Sequence, residues 1–385
     1  MIYIIGLAII IIALLILDYQ LGSTITKNKK QSKKWISATE DIEVFGDGQQ
    51  LFEQMEKDIR DAKKSIDLQF YIIRNDKISN HFYTLLEQKQ QEGVKVRFSA
   101  DWVGSFGYKR KWVKHQFDFK KINPPKPPFF YHLQKRNHRK IMIIDQEIAY
   151  TGGFNLGDEY LGNDIKLGKW RDYHVRITGA AVNIFDHIFL KDWNGSGTVL
   201  EKKPVEGDQI EIVKTEAEVL EDHMVQLLDS AEVSIELGSP YFIPTKKVLD
   251  ALLQARKRGV EVTILIPEKG DHLLTKAGAM PFLQTVHQHG VQVFLYLDGF
   301  FHGKVLFIDQ KICDMGTSNF DQRSFLLNQE VNLVVHQEHP LYKKMRILYD
   351  HDLSESKPFT LQWKQKQPLW MKTLTFVTTF IRPFL

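Results

Sequence analysis

The 385-residue chain has a single cysteine, Cys313. That excludes an internal disulfide framework and any zinc site built on several thiolates, and leaves Cys313 as a small buried hydrophobe. Net charge is also nearly absent, at +4, so the overall balance selects no partner. No low-complexity run interrupts a composition of 43% hydrophobic and 25% charged residues, which excludes a disordered chain and predicts packed cores in two domains of ordinary size.

Charge is missing altogether from the first 17 residues, MIYIIGLAIIIIALLIL. A basic leader and an A-x-A-like site are both absent, which argues against a cleaved signal peptide. The run is just long enough to cross a bilayer core as a helix, so residues 1–18 are expected to form a single transmembrane anchor. Lys27, Lys29, Lys30, Lys33 and Lys34 follow in a basic linker, residues 19–40. By the positive-inside rule they place the body of the protein on the cytoplasmic side of the cell membrane. The tail, residues 353–385, ends in PLWMKTLTFVTTFIRPFL, where an interfacial segment and a strip of core are both open.

What is present is a pattern written twice. DAKKSIDLQFYII (61–73) answers DSAEVSIELGSPYFI (229–243), and EGVKVRFSAD (92–101) answers RGVEVTILIP (258–267). NHRKIMIIDQEIAYTGGFN (137–155) answers FHGKVLFIDQKICDMGTSN (301–319), and the offset between copies falls from 169 through 166 to 164. Leu51, Phe52, Met55, Ile59 and Ala62 fit one apolar helix face, as do Leu220, Met224, Leu227, Leu228 and Ala231. A strand follows in each copy (66–73; 233–237), then a second helix ending at Gly93 or Gly259 and strands starting at Val94 and Val260. The motif strands, Lys140 to Asp145 and Lys304 to Asp309, have wholly apolar interiors. This alternation predicts two tandem pseudo-symmetric α/β/α sandwich domains, residues 41–200 and 201–352.

Both copies keep His, Lys at +2, Asp at +7, Gly at +14 and Asn at +17: His138, Lys140, Asp145, Gly152, Asn155, and His302, Lys304, Asp309, Gly316, Asn319. Residues two apart in a strand share a face, so each histidine and lysine should project together. Gly152 and Gly316 should permit a tight turn that returns each asparagine to its histidine. Stability requires no such set of polar residues twice over, and the repetition points to function.

These two copies of H-x-K-x4-D-x6-G-[GST]-x-N resemble the signature of the phospholipase D superfamily, over about residues 41 to 350. With the apolar N-terminus, GSPYFIP, GTSNFDQRSFLLNQEVNL and the apolar tail, the layout looks like a bacterial cardiolipin synthase of a single-anchor, minor-type branch. The resemblance implies phosphodiester exchange without a cofactor, and the sequence offers no convincing metal-ligand cluster. One histidine would attack phosphorus to form a phosphohistidine, and the other would protonate the departing glycerol and then deprotonate the incoming alcohol. His138 is assigned as nucleophile and His302 as acid/base, with the reverse left open by the pseudo-symmetry. Lys140, Lys304, Asn155 and Asn319 would clamp the non-bridging oxygens. Asp172 in WRDYHVRI and Glu330 in NQEVNLVV would orient the histidines, as family resemblance implies. Asp145 and Asp309 are counted with the catalytic residues as motif members, although about five residues at 3.3 Å each set them roughly 15 Å from the phosphate.

Other residues weigh less. His287 and His289 have no carboxylate or thiolate partner nearby, and His132 and His174 have no counterpart in the second copy. Tyr108 to Lys140 carries eleven Lys or Arg against one acid, Asp118, and includes the proline-stiffened NPPKPPFFY, which suits an anionic lipid surface. The expected reaction joins two phosphatidylglycerol molecules, one as donor and one as acceptor, into cardiolipin and glycerol, with no obligatory nucleic acid. Hydrolysis of phospholipid or nucleic acid by the same machinery is the alternative, and a retired membrane scaffold is disfavoured by two intact motifs.

Overall fold

The structure is a computed structural model that describes residues 2–27, 33–108, 117–163, 165–195, 208–216 and 219–385, with only the backbone of residues 2–6, 8, 9, 12, 27 and 383. Lys29, Lys30 and the expected domain junction near residue 200 lie outside the described residues.

Each half is built from the pattern read in the sequence. Leu51, Phe52, Met55 and Ile59 form the buried face of the helix Gly48–Asp61, whose first turn is capped by the Asp47 carboxylate accepting from the N–H groups of Gln49 and Gln50. Its counterpart is Val219–Ser230, burying Leu220, Met224 and Leu228. The second helices, Lys77–Gln91 and Lys246–Lys257, stop just ahead of Gly93 and Gly259, which take φ of +90° and +97°.

Among the described residues the strands form an eight-stranded and a nine-stranded sheet, with a small two-stranded one of Phe242–Ile243 and Phe320–Asp321. The inner order is the same in both: Trp170–Thr178, Ile148–Gly152, Ile141–Ile144, Ser65–Phe70, Lys95–Asp101 in the first, and Gln329–His336, Ile312–Gly316, Val305–Ile308, Ser234–Gly238, Glu261–Pro267 in the second. The motif strands run antiparallel to both neighbours, in mixed sheets. Each half has its own apolar core, and a third core lies between the halves, where Ile141, Ile143 and Val175 meet Phe301, Phe307 and Val331. The two halves are therefore packed together by a continuous hydrophobic seam.

The N-terminal segment corrects two expected boundaries. A helix runs from Ile2 to Lys27, well past residue 18. Among the described residues no helix is long and apolar enough to cross a membrane. The expected linker also contains a strand, Lys33–Thr39, which pairs with Asp208–Glu216 at the edge of the second sheet. The tail is structured too: Ser356–Pro358 adds a strand to that sheet, and the helices Leu361–Gln365 and Leu369–Ile381 follow.

Candidate active site

The two motifs meet because each half lends its lead-in segment to the other. The His138 N–H donates to the Gln329 carbonyl at 2.9 Å, and the Gln329 N–H to the Arg136 carbonyl at 2.8 Å. In the second half Phe300–Phe301 pairs in parallel with Trp170 and Arg171, and the His302 N–H donates to the Arg171 carbonyl at 2.6 Å. Residue 330 follows 329, and residue 172 follows 171. Each histidine is thereby hooked beside the acid that opens the other half's strand. The histidines and lysines lie in these extended lead-ins, and the regular strands begin only at Ile141 and Val305.

The pairs are crossed accordingly. Nδ1 of His138 lies 3.0 and 3.1 Å from the Glu330 carboxylate oxygens. Nδ1 of His302 lies 2.5 Å from Oδ2 of Asp172. All four side chains are buried. Burial pushes the His138 imidazole below its usual range against the pull of Glu330. His302 is pushed down to about 4, first by burial and then by Lys304. Burial alone would raise Glu330 and Asp172, but their histidine and lysine partners hold both carboxylates below the usual range.

The two carboxylates are supported differently. Glu330 also accepts from the hydroxyls of Thr317 (2.6 Å) and Ser324 (3.0 Å) and from the Asn328 amide (3.3 Å). Thr317 follows the motif glycine of its half. In the first half that place is Gly153, where a Cβ would come within 2.0 Å of Oδ1 of Asp172. Asp172 instead accepts from the Tyr173 N–H at 2.8 Å and stands 3.5 Å from Nζ of Lys304.

Both lysines are buried beside their own histidines. Lys140 donates to the His138 carbonyl at 2.8 Å and sits over the Tyr71 ring, 5.6 Å from its centroid. Burial pushes it down to about 7. Lys304 donates to the His302 carbonyl and lies 2.7 Å from Nδ1 of that ring. The two lysines, balanced by the Glu330 and Asp172 carboxylates, place donors beside both histidines where an anion could be held. Tyr71 and Tyr241, which sequence reasoning missed, pack against His138 (ring centroids 5.0 Å apart) and His302 (6.3 Å). The aligned repeat held only a partial signal, since FYI and PYF place the two tyrosines one residue out of step at the offset of 169.

Other motif residues act differently from expectation. Gly152 and Gly316 serve close strand approach: a Cβ would stand 2.4 Å from the Tyr173 and Val331 carbonyls, respectively. Asn155 accepts from the Ile72 N–H (3.2 Å) and donates to the Tyr160 hydroxyl (3.0 Å). Asn319 donates to Asp321, and its buried Oδ1 has no hydrogen-bond partner. Neither asparagine is hydrogen-bonded to its own histidine.

Asp145 and Asp309, grouped by the motif with the catalytic residues, lie at the far end of their strands. Each starts a hairpin turn with Gln146 or Gln310, and φ at these four positions is +54° to +58°. Asp145 accepts from the N–H groups of Lys63, Lys64 and Ser65 at 2.6 to 2.8 Å, and Asp309 likewise from Glu232, Val233 and Ser234. They staple the hairpin to the neighbouring strand. Asp145→Ala should lower unfolding free energy by about 1–3 kcal/mol, measured by urea titration, while kcat stays within a few-fold of wild type.

The residues between the motif positions were not legible as functional. Arg139, fully buried, pairs with Asp192 (2.6 and 2.9 Å) and donates to the carbonyls of Glu330 and Thr215. Asn137 and Gln69 donate to the same Asp192 carboxylate. This network ties the first motif to the second half from the side opposite His138. The basic stretch from Tyr108 to Lys140 is corrected at its end, where Arg136, Arg139 and Lys140 are buried and bonded internally, Arg136 to Asp101 at 3.0 Å, while Lys120 and Lys126 are exposed. The three buried residues offer no charge to a lipid surface. Residues 109–116 lie outside the described residues.

A family model described as "Cardiolipin synthase, PLD-like domain" matches residues 55–193 and 224–353. The chain is 34% identical over 382 residues to the minor cardiolipin synthase ClsB of Bacillus subtilis (strain 168), covering 95% of this chain and 96% of that protein. It is 35% identical over 376 residues to a cardiolipin synthase of Staphylococcus aureus (strain Mu50), covering 91% of this chain and 75% of that protein. Among solved structures it is similar to phosphatidylserine synthase of Haemophilus influenzae Rd KW20, at 14% identity and a TM-score of 0.73 over 94% of this chain and all of that one. That likeness shows the fold, with two phospholipase D-like domains in one chain.

Proposed function

Because the chain belongs to the cardiolipin synthase family of phospholipase D-type phosphatidyltransferases, we propose that it converts two phosphatidylglycerol molecules into cardiolipin and glycerol. The observation that carries this reading is the crossed pairing, His138 with Glu330 and His302 with Asp172. A carboxylate on Nδ1 orients each ring and fixes a proton there, so that Nε2 does the chemistry.

In the proposed first step, Nε2 of His138 attacks phosphorus, the bond to the headgroup glycerol breaks, and His302 gives that oxygen a proton. In the second, His302 takes the proton of an incoming phosphatidylglycerol hydroxyl, whose oxygen displaces His138. Protons and bonds balance over the cycle. Lys140 and Lys304 are the cations for the phosphoryl oxygens, with Asn155 and Asn319 as amide donors. One feature favours the reverse order of histidines. Burial and Lys304, 2.7 Å from its Nδ1, push His302 down to about 4, and a nucleophile must be neutral.

The reading includes attachment to the cell membrane through the apolar N-terminal helix, with the catalytic body on the cytoplasmic side. Its support is the uncharged run before Asp18 and the lysines from Lys27 to Lys34. Incubating the detergent-solubilised protein with phosphatidylglycerol alone should yield cardiolipin and glycerol. Phosphatidic acid and glycerol would mean hydrolysis instead, and cleaved nucleic acid with untouched lipid would remove the lipid reading.

A further inference from the structure

A helix on a protein surface normally turns its apolar side inward. The helix Leu369–Ile381 does the reverse. Toward the protein it presents Met371, Leu374, Thr375 and Thr378, with Thr378 packed near Gly278 of the helix Leu273–Gln288. Outward it presents Trp370, Phe376, Val377 and Phe380, which are 51%, 67%, 45% and 71% exposed, with Leu369 and the polar Lys372, Thr373 and Thr379 beside them. Thr375 and Thr378 face the protein while Phe376 and Phe380 face out, an arrangement that water disfavours.

This face continues into other apolar surfaces. The Phe384 ring, just past the helix, meets Tyr19 of the N-terminal helix (5.1 Å) and Phe130 (5.3 Å). Beyond Tyr19, the exposed side chains Leu14 to Leu17 are all apolar, and Phe129 is exposed beside Phe130. From Pro368 to the C-terminus the charged side chains are Lys372 and Arg382, both basic. Aromatics on one side, a basic edge and continuity with an apolar N-terminal helix fit the headgroup boundary of an anionic bilayer.

We propose that Leu369–Ile381 is an interfacial platform that lies flat in an anionic phospholipid bilayer with Trp370, Phe376 and Phe380 inserted. It deepens the function proposed above, on which it rests for the lipid's role as substrate. The platform is wired to the site. The Arg323 N–H donates to the Leu385 carbonyl (3.2 Å), and its guanidinium reaches the carbonyls of Phe384 (3.5 Å) and Gln134 (3.2 Å). The neighbouring Ser324 donates to Glu330 at 3.0 Å. Docking the helix therefore sets the height of the His138–Glu330 pair above the lipid.

The test uses the full chain reconstituted in vesicles of equal parts phosphatidylglycerol and phosphatidylcholine brominated near the headgroup. Tryptophan emission is compared between wild type and Trp370→Phe. The platform predicts lipid quenching that is lost in the variant. It also predicts that Trp370→Ser/Phe376→Ser/Phe380→Ser loses roughly tenfold or more of its activity on vesicles, yet keeps wild-type activity on detergent-dispersed short-chain phosphatidylglycerol. Quenching of Trp370 by aqueous acrylamide equally in vesicles and detergent would overturn the proposal. Shielding from both quenchers would do so too, because a second copy or another protein would then cover the face. If wild type makes no cardiolipin from either substrate form, the functional reading fails, and the quenching still decides the platform.

Discussion

Alanine at His138, and separately at His302, should each reduce phosphatidyl transfer by about 10^4-fold or more. Each imidazole is fixed by a carboxylate from the opposite half, and no neighbour can take over. His174 is the nearest by sequence to Asp172, but it is buried in a strand and pushed down to about 3 by burial. The double variant should be no worse than either single one, because the two rings serve one cycle. A donor lipid carrying a nitrophenol headgroup, whose departure needs no proton, separates the roles. His302→Ala should still form a phosphatidyl-histidine with it, trapped on rapid acid quench and located by peptide mapping, and His138→Ala should not. Intermediate formed in the opposite variant would reverse the assignment, and full turnover by either one would end the two-histidine mechanism.

The second large effect concerns Glu330. This carboxylate gathers His138, Thr317, Ser324 and Asn328 in a site closed to solvent. Glu330→Ala leaves those donors facing a cavity, and the structure should lose about 3–5 kcal/mol, read from urea titration. Activity should fall by roughly 10^2–10^4-fold, because His138 loses both its orientation and its tautomer. Glu330→Gln keeps one acceptor oxygen but not the charge, and should recover stability more than activity. Acid titration provides an independent check. The folded-state carboxyl is held below the ordinary value of 4.5. Its contribution to stability is therefore complete above that pH and is lost as pH falls below it. The alanine variant should lack that component of the wild-type acid transition, and an unchanged acid profile would count against the pairing.

The repeat, the order of helices and strands, and the composition of the site were readable because each rests on local chemistry. Apolar spacing sets the helices Gly48–Asp61 and Val219–Ser230, and β-branched runs set the strands behind the motifs. Asp172 and Glu330 could be picked out by their matching places after the motifs. Which acid serves which histidine was not readable, since it depends on two short lead-ins, one ending at Asn137 and the other Phe300–Phe301, that pair across the seam. Short exchanges of that kind leave no periodicity. Arg139 looked like part of a basic surface because charge in sequence carries no sign of depth, and only Asp192, 53 residues away, shows where it goes. The motif aspartates were misleading for another reason. Their repetition is required by a left-handed turn and three backbone donors, and repetition alone cannot separate such a staple from a reactive group.

The exchanged lead-ins also constrain the order in which this protein can come to life. A nascent chain that has reached residue 200 carries His138 without Glu330, and Asp172 without His302. The first half can therefore emerge from the ribosome and remain inert. Competence arrives only when the last strands, and the C-terminal residues that bind Arg323, have been made.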